Sequence, residues 1–480
     1  MSGVFIGLDL GTSAAKAVAL RSDGSVRGRT RHTYPTSRPQ PGAAEQNPAD
    51  WWAATMAALS ELASVVPAET WQGIGLSAML PTLVELDRHG AAIGSAVTWE
   101  DARAEFEGAK LRERVGADRL YRITGQHVDG RYLAPMHRRR AAAGSETATV
   151  VGAKDWLFGQ LTGELLTDPS TATGFGVYDL NAAGWDPDLV AAAGVPALPA
   201  VAPSDTALPL LPAVCSALGC RSGTPVVLGA ADSVLGAYGL GVGSPGEVAV
   251  IGGTSTVVIA VSSTSVVDPR QRYLVTPLVD SRYGLEMDML ATGSAISWLA
   301  DLLGFADSAA LTTAAAAVGA SEAPLFLPYL APGEQGALWD PSLTGVLSGL
   351  HLGVRREQVA RGLITGIVVE LSRCVTILEE ATGAGGPIRV SGPSASGALM
   401  RRDLADATGR PVLSDNSGEV DHSAIGAAAY AAVACTGLRP PVRDDIRTVD
   451  PNPSMAAMWA GLVQRHDDAL RAAQKHGPCD

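Results

Sequence analysis

Residues 5–13, FIGLDLGTS, predict a short apolar strand that runs directly into a tight turn. A second strand is predicted at residues 17–20 (AVAL), so the segment forms a β-hairpin. Glycine lets backbone N–H groups approach a phosphate closely, and threonine and serine hydroxyls donate hydrogen bonds to phosphate oxygens. The GTS turn is therefore a candidate phosphate loop, although a turn of this composition is by itself ordinary in a hairpin.

The same pattern returns at the midpoint of the 480-residue chain. Residues 247–251 (EVAVI) predict a strand, and residues 252–255 (GGTS) predict a turn. Superposing the two Gly-Thr-Ser triplets places Gly11 opposite Gly253, about half a chain length apart. A repeat that opens each half indicates two domains of related topology.

Strands and helices alternate through both halves, which favours an α/β fold. We place the domain boundary near Gly243, so that the domains span residues 1–243 and 244–480. The small, uncharged run at 424–438 predicts a buried, closely packed helix. Four further segments are predicted: a turn at 229–232, a loop at 325–339, a helix at 356–382 and a terminal helix at 465–472.

The composition disfavours several classes of protein. Lys and Arg number 36 against 49 Asp and Glu, and the net charge of −13 argues against a nucleic acid partner. No apolar run approaches the roughly 18 residues of a membrane-spanning helix, and no signal peptide is visible, so we expect no membrane partner. The five cysteines lack metal-ligand spacing, and reduced thiols in a cytoplasmic protein are the expected state.

Two aspartates occupy positions where a carboxylate could act on a ligand. Asp9 precedes the first triplet, whereas Ile251 holds the matching place in the second. One carboxylate beside phosphates suits Mg²⁺, which keeps several waters and takes one or two protein ligands, and a turn cap is the alternative. Asp232 follows a buried strand at the start of a Gly/Ala-rich helix, where it is either a helix N-cap or a general base.

The sequence contains none of the motifs that mark several other kinds of active site. The chain has no Walker loop, no His/Cys pattern for zinc and no G-x-S-x-G nucleophile elbow. Residues 391–396 (SGPSAS) are mostly small and end a predicted strand, so this loop could lie flat against an adenine ring.

Together these motifs resemble the FGGY family of carbohydrate kinases, and they keep the family's order across nearly the whole chain. The matching segments are IGLDLGTS at 6–13 with Lys16, residues 229–236 around Asp232, GGTS at 252–255, FLPYL at 326–330, Gly333-Glu334, GVLSGL at 345–350 and the loop 391–396, with EQNPADWW at 45–52 and WEDAR at 99–103 as further landmarks.

The resemblance implies two ribonuclease H-like domains in the arrangement of actin-like ATPases, with an interdomain cleft. ATP would lie mainly on the C-terminal domain and the sugar mainly on the N-terminal one. Asp232 matches the family's catalytic base, and Asp9 and Asp232 lie where Mg²⁺ is expected. The positions matching nucleotide contacts are Gly11, Thr12, Ser13, Gly253, Thr254, Gly293, Gly392 and Ser394.

The sugar side departs from the family's pattern. Xylulokinases usually carry Gln-Met-His where this chain has Met79-Leu80-Pro81, and Asp-Asn where it has Asp232-Ser233. A histidine and an amide that could bind sugar hydroxyls are therefore missing, which bears directly on specificity. The candidate substrate contacts are Met79, Leu80, Glu100, Asp101, Arg103, His127 and Asp232, and for the polar ones a purely structural role is the alternative.

We therefore expect an ATP- and Mg²⁺-dependent kinase whose partner is a small-molecule sugar or polyol. A pentulose such as xylulose is the first candidate acceptor, and gluconate or a short polyol of the erythritol or glycerol type is the alternative. From another class, the chain could be a sugar-responsive actin-like ATPase or sensor, or a kinase that has lost activity. A homodimer is an open possibility, because the sequence does not define the oligomeric state.

Overall fold

Two large β-sheets, each flanked by helices, form the framework of the two halves of the chain. The computed structural model describes residues 3–331, 336–340, 342–383, 385–415, 421–441 and 446–476. The Gly333-Glu334 landmark lies outside these residues.

The elements of the first half are as follows. The strands are β1 Val4–Leu10, β2 Ala14–Arg21, β3 Val26–Thr33, β4 Glu45–Gln46, β5 Trp71–Ala78, β6 Thr82–Leu86, β7 Ala96–Thr98, β8 Thr149–Gly152, β9 Leu166–Thr167, β10 Tyr178–Asp179, β11 Gly184–Trp185, β12 Ala200–Val201, β13 Ala207–Pro209 and β14 Pro225–Ala231. The helices are α1 Pro48–Val65, α2 Glu105–Val115, α3 Ala117–Thr124, α4 Leu133–Ala142, α5 Ala153–Thr162, α6 Pro169–Thr173, α7 Pro187–Ala193, α8 Pro212–Leu218 and α9 Asp232–Gly239.

The second half continues the alternation. Its strands are β15 Val248–Gly252, β16 Thr256–Ser262, β17 Leu274–Pro277, β18 Tyr283–Met289, β19 Leu325–Leu327, β20 Val346–Ser348, β21 Ile388–Ser391, β22 Val412–Asp415 and β23 Ile446–Val449. Its helices are α10 Gly293–Leu302, α11 Ser308–Ala316, α12 Arg356–Thr382, α13 Ala398–Thr408, α14 His422–Thr436 and α15 Ala456–His476.

The two large sheets share one topology. The first has the strand order β13-β14-β5-β1-β2-β3, and the second has the order β17-β18-β16-β15-β21-β22-β23. In each sheet an antiparallel hairpin (β1–β2 or β15–β16) is followed by two parallel neighbours (β5 and β14, or β21 and β22). The α/β class and the related topology of the two halves are therefore confirmed. The chain passes from one sheet to the other between α9 and β15.

Helix α14 joins the halves, because it follows the second sheet in the chain but packs on β1, β5 and α9. The approach is very close: a Cβ on Gly7 would lie 1.7 Å from the carbonyl oxygen of Ala424, and one on Gly75 would lie 2.1 Å from that of Ala427. Only glycine fits at such distances. The prediction of a buried, closely packed helix from residue 424 onward is confirmed.

Three local predictions are corrected. The predicted turn at 229–232 is wrong, because β14 continues to Ala231 and bends at Gly229, where φ is +69° and a Cβ would collide with the carbonyl oxygen of Leu76. The loop predicted at 325–339 contains β19, which pairs with β20. The terminal helix is α15, which is longer than predicted because its apolar stripe begins at the buried Trp459. The predicted long helix is confirmed as α12.

None of the helices in the described residues combines the length and apolar character needed to span a bilayer.

Candidate active site

A cavity of about 980 Å³, open to solvent, lies between the two large sheets and is lined by residues of both halves. Thr12, Leu80 and Asp232 line it from the first half, and Glu286 and Asp288 line it from β18 in the second. The cavity is the interdomain cleft that the sequence predicts.

Asp232 stands on the cavity wall as the first residue of α9. Ala231, not Asp232, is the N-cap, so the alternative of an N-cap role for Asp232 is wrong. Its Oδ1 accepts a hydrogen bond of 2.9 Å from the N–H of Ser233. Burial, followed by the negative charge of Asp9, raises the pKa of Asp232 to about 8, against the lowering effect of the Ser233 N–H. Such a carboxyl group is poised to exchange a proton near neutral pH.

A buried polar chain supports Asp232 from behind. The Nζ of Lys154 lies 3.0 Å from the Oδ1 of Asp168. Ser170 donates its hydroxyl to the Oδ2 of Asp168 at 2.5 Å and accepts a hydrogen bond of 2.9 Å from the N–H of Ala231. The junction of β14 and α9, from which Asp232 projects, is therefore held by a buried ion pair.

Asp9 lies near the end of β1, between two groups that contact its carboxylate. Ser77 donates to its Oδ1 at 2.7 Å, and the Nζ of Lys16 lies 3.4 Å from its Oδ2. Lys16 also pairs with Asp421, at 2.7 Å from Oδ2. Burial raises the pKa of Asp9 to about 6, and the charge of Asp421 acts in the same direction, while Lys16 and Ser77 oppose the rise.

The first Gly-Thr-Ser turn is held in place from several sides. The N–H of Gly11 donates to the carbonyl of Ala14 at 3.1 Å, and Ser13 is exposed. The indole Nε1 of Trp99 donates to the Oγ1 of Thr12 at 3.1 Å, and the amide of Gln46 donates to the carbonyl of Thr12 at 2.7 Å. Because the Thr12 hydroxyl already accepts a bond, its own hydrogen is available for a ligand in the cavity.

The second turn meets two other loops at the carboxyl edge of the second sheet. The N–H of Ser294 donates to the carbonyl of Thr254 at 3.1 Å. A Cβ on Gly293 would lie 2.1 Å from the carbonyl oxygen of Gly253. The three segments that carry Gly253, Thr254, Gly293, Gly392 and Ser394 therefore form one surface.

The third of these loops follows β21. Gly392 has φ +81°, and a Cβ there would lie 2.0 Å from the carbonyl oxygen of Gly252. The N–H of Ser394 donates to the same carbonyl at 3.4 Å. The Oγ of Ser394 is buried and has no hydrogen-bond partner among the described residues, so it retains its capacity for a ligand.

Three predicted sugar contacts are not among the described residues that line the cavity, and their charges are paired with other side chains. Arg103 donates to the buried Asp101 at 2.6 Å and to Glu45 at 2.5 Å. Asp101 also accepts the N–H of Ala44 at 2.9 Å. Glu100 pairs with Arg38 at 3.0 Å. These side chains instead fix the segment that carries Trp99.

Met79 and His127 are also placed elsewhere. Met79 is buried in the core of the first half, and its N–H donates to the carbonyl of Leu10 at 2.9 Å. Its neighbour Leu80 does line the cavity. The ring of His127 stacks on Trp339 with centroids 4.1 Å apart, and its Nε2 lies 2.7 Å from the carbonyl oxygen of Gln271. His127 therefore bridges the two halves of the chain.

Several lining residues escape the sequence analysis. Glu286 and Asp288 are two residues apart on β18, and this acidic pair on one face of an otherwise apolar strand is a signal that could have found them. Arg131 also lines the cavity, with its Nε 3.0 Å from the Oδ2 of Asp129, and no local pattern marks it.

Comparison with known proteins decides the family. The model of the N-terminal domain of the FGGY family of carbohydrate kinases matches residues 4–239, and the model of its C-terminal domain matches residues 248–435. The chain belongs to the FGGY family of carbohydrate kinases. It is therefore a phosphotransferase with an alcohol group as acceptor, and the predicted resemblance is confirmed.

Individual relatives of this FGGY kinase differ in substrate. The chain is 31% identical over 440 residues to the xylulose kinase of Klebsiella pneumoniae, with 90% of each chain covered. It is 26% identical over 430 residues to the gluconokinase of Bacillus subtilis, with 85% of this chain and 83% of the relative covered. The crystal structure of the xylulose kinase from Rhodospirillum rubrum superposes with a TM-score of 0.86 at 31% identity, covering 98% of both chains. The fold of two ribonuclease H-like domains is thereby confirmed.

Proposed function

We propose that this FGGY kinase transfers the γ-phosphoryl group of ATP to a hydroxyl of a neutral ketose, with a pentulose such as xylulose as the first candidate. One observation carries the proposal: the raised-pKa carboxyl of Asp232 lies in a cavity that the Gly-Thr-Ser turns of both halves also line, at Thr12 and Ser255. A proton acceptor and two candidate phosphate-binding turns thus face the same cavity.

Asp232 acts as the general base in this proposal. An acceptor hydroxyl in the cavity gives its proton to the Asp232 carboxylate as its oxygen attacks the γ-phosphorus in line. The bond from the γ-phosphorus to the oxygen that bridges it to the β-phosphate breaks on the opposite side, and ADP leaves. A general base of this kind contributes roughly 10²–10⁴-fold to the rate. The buried chain from Lys154 through Asp168 to Ser170 keeps the base at a fixed position.

The nucleotide lies across the two turns. Backbone N–H groups and the Thr12 hydroxyl hold the phosphates from the first half, and Gly253 and Thr254 hold them from the second. The surface around Gly293, Gly392 and the unpartnered Ser394 hydroxyl receives the adenosine. Closure of the two halves on the sugar excludes water, which prevents hydrolysis of ATP.

The carboxylates fit a magnesium ion. The negative charge of Asp9 disfavours the ionised form of Asp232, and a divalent cation between them would relieve that repulsion. No group of three or more His, Cys, Asp or Glu side chains in the described residues could hold a metal ion. The two carboxylates of Asp9 and Asp232 suit Mg²⁺, which binds through one or two carboxylates together with phosphates and waters. When bound, the ion would neutralise charge on the β- and γ-phosphates.

The charges of the cavity favour a neutral acceptor. Asp232, Glu286 and Asp288 line it, and the one lining arginine among the described residues, Arg131, already contacts Asp129. A sugar acid would bring a further negative charge into this space, which costs free energy without a dedicated cation. Carboxylates instead accept hydrogen bonds from sugar hydroxyls. The presence of Arg131 is nevertheless the specific observation that makes gluconate the second candidate.

A coupled ADP-release assay with Mg-ATP tests the proposal against D-xylulose, D-gluconate, glycerol and erythritol. We expect release that depends on xylulose, with the phosphorylated product seen by phosphorus NMR. Faster release with gluconate would overturn the neutral acceptor and assign Arg131 to the carboxylate. Release without any acceptor would favour the sugar-responsive ATPase.

A further inference from the structure

A second cavity, of about 660 Å³ and open to solvent, lies at the opposite end of α9 from Asp232. Tyr238, Gly239 and Leu240, at the end of this helix, form part of its wall. Leu20 and Gly24 line it from the β2–β3 hairpin of the first half. The second half contributes Arg389 of β21, Leu413 and Asp415 of β22, and one face of α14. This rear cavity is therefore a second space shared by the two halves, separate from the active-site cleft.

The rear cavity is mostly apolar. Leu240, Leu413, Ile425 and Ala429 supply aliphatic surface, and Tyr238 supplies an aromatic ring. A concave surface with apolar walls and a few polar groups is typical of small-molecule sites.

The polar side chains that line it among the described residues include two arginines and one aspartate. Arg389 lines the cavity, and its buried Nε makes no hydrogen bond to any residue that the structure describes. Arg439 also lines it and lies over the ring of Tyr238 at 3.9 Å. The one acidic residue among the described lining residues is Asp415, which is 3.4 Å from the Nε2 of His422.

A third arginine lies behind the wall of the cavity. The Nη1 of Arg401 donates to the Oγ of Ser414, a lining residue, at 2.6 Å. Its Nε is buried without a hydrogen-bond partner among the described residues, and no described acidic group forms an ion pair with it. Burial, followed by the charge of Arg447, lowers the pKa of Arg401, as expected for a cation without a counter-ion.

We propose that the rear cavity binds a small amphipathic anion, with an aromatic or branched apolar body and one carboxylate or sulfonate group. The apolar body contacts the aliphatic residues of α14 and β22. The anionic group accepts a hydrogen bond from the Nε of Arg389, which has no hydrogen-bond partner among the described residues. A buried N–H group without a partner costs free energy, so an anion that accepts its hydrogen bond is favoured there, and the positive charge of the arginine strengthens that bond.

A ligand in the rear cavity would affect the active site through α9 and α14. α9 runs only about 10 Å from Asp232 to the cavity wall. On α14, His422 and Ile425 face the cavity, whereas Ser423 donates its hydroxyl to the carbonyl of Asp232 at 3.0 Å. The ligand would therefore contact both elements that hold the catalytic carboxylate.

This arrangement predicts inhibition. Turnover in a two-domain kinase requires the domains to close and reopen in each cycle. A body that fills the space between the β2–β3 hairpin and β21–β22 holds the two halves at one angle. It should lower kcat without competing with either ATP or the sugar, because it occupies neither site.

The test uses the full chain and the fluorescent anion 8-anilinonaphthalene-1-sulfonate. We expect one saturable site whose fluorescence is unchanged by excess ADP. Arg389→Gln should weaken its binding by about tenfold, the usual size of a lost charged hydrogen bond. Ala429→Phe, which fills the cavity from α14, should abolish binding. The matched control is Arg122→Gln, which alters an exposed arginine on α3.

Two results would overturn the site: displacement of the probe by ADP, or equal affinity in Arg389→Gln and the control. If Ala429→Phe fails to fold, the comparison of Arg389→Gln with Arg122→Gln still tests the site. The binding measurement needs no sugar, so it stands apart from the proposed acceptor. With whichever sugar supports turnover, the bound probe should lower kcat by about half or more, and an unchanged kcat at saturating probe would overturn the coupling to catalysis.

Discussion

The Oγ of Ser170 accepts a hydrogen bond of 2.9 Å from the N–H of Ala231, the residue that precedes Asp232. The same hydroxyl donates to Asp168, which is paired with the buried Lys154. Asp232, the proposed general base at the start of a helix, is thus positioned through its backbone by a polar chain that begins in α5 and α6.

Ser170→Ala removes this support and should lower kcat by roughly tenfold, because small displacements of a reacting group are costly. The KM for ATP should stay unchanged, since the nucleotide loops are untouched. Steady-state kinetics on Ser170→Ala and on the exposed control Ser64→Ala provide the measurement. A rise in the KM for ATP with unchanged kcat would contradict the positioning role.

Asp232→Asn should lose phosphoryl transfer by about 10²–10⁴-fold, because the amide cannot accept the hydroxyl proton. Nucleotide binding should persist, since the side chain is not part of the second-half loops. Calorimetric titration with ATP beside the ADP-release assay separates the two effects. Asp188→Asn, at a highly exposed position, is the control. Near-normal turnover in Asp232→Asn would remove this residue from the mechanism.

The stability of the ligand-free protein should depend on pH through Asp232. Its native carboxyl holds a proton up to about pH 8, whereas an unfolded aspartate releases it near the ordinary value of 3.8. Between these two pH values the native state binds more protons than the unfolded state, so the free energy of unfolding falls as pH rises. The asparagine side chain in Asp232→Asn does not titrate, so the variant lacks this loss of stability. The Tm of Asp232→Asn minus the Tm of the native protein should therefore increase from pH 5 to pH 8. A constant difference in Tm across that range would argue against the raised pKa.

Gly293→Ala should weaken ATP binding by about tenfold or more, because its Cβ would lie 2.1 Å from the carbonyl oxygen of Gly253 and must displace the second phosphate turn. Gly461→Ala is a matched control, since a Cβ there meets no atom within 4 Å. Titration with ATP in the absence of sugar measures the difference. Equal affinities in the two variants would show that this turn does not contact the nucleotide.

Sequence reasoning succeeded where function depends on a short, repeated backbone pattern. The strand–turn–strand unit occurs twice at matching places in the two halves, and the structure brings both turns to the cleft, with Asp232 on its wall. Sequence reasoning failed where a side chain's role depends on distant partners. Arg103 is neutralised by Glu45 as well as by its near neighbour Asp101, and His127 stacks on Trp339, more than two hundred positions away. No local pattern reports such pairings.

The tight packing of α14 on β1 and β5 makes the first half of this kinase dependent on a helix that lies in the second half of the chain. A fragment that stops at residue 243 would leave Gly7 and Gly75 in a bare apolar surface and should aggregate when produced alone. Co-expression with residues 244–480 should rescue it by complementation. Assembly of the first half therefore waits until α14, which ends at Thr436, has left the ribosome, although the strands of the first sheet are all synthesised once β14 ends at Ala231.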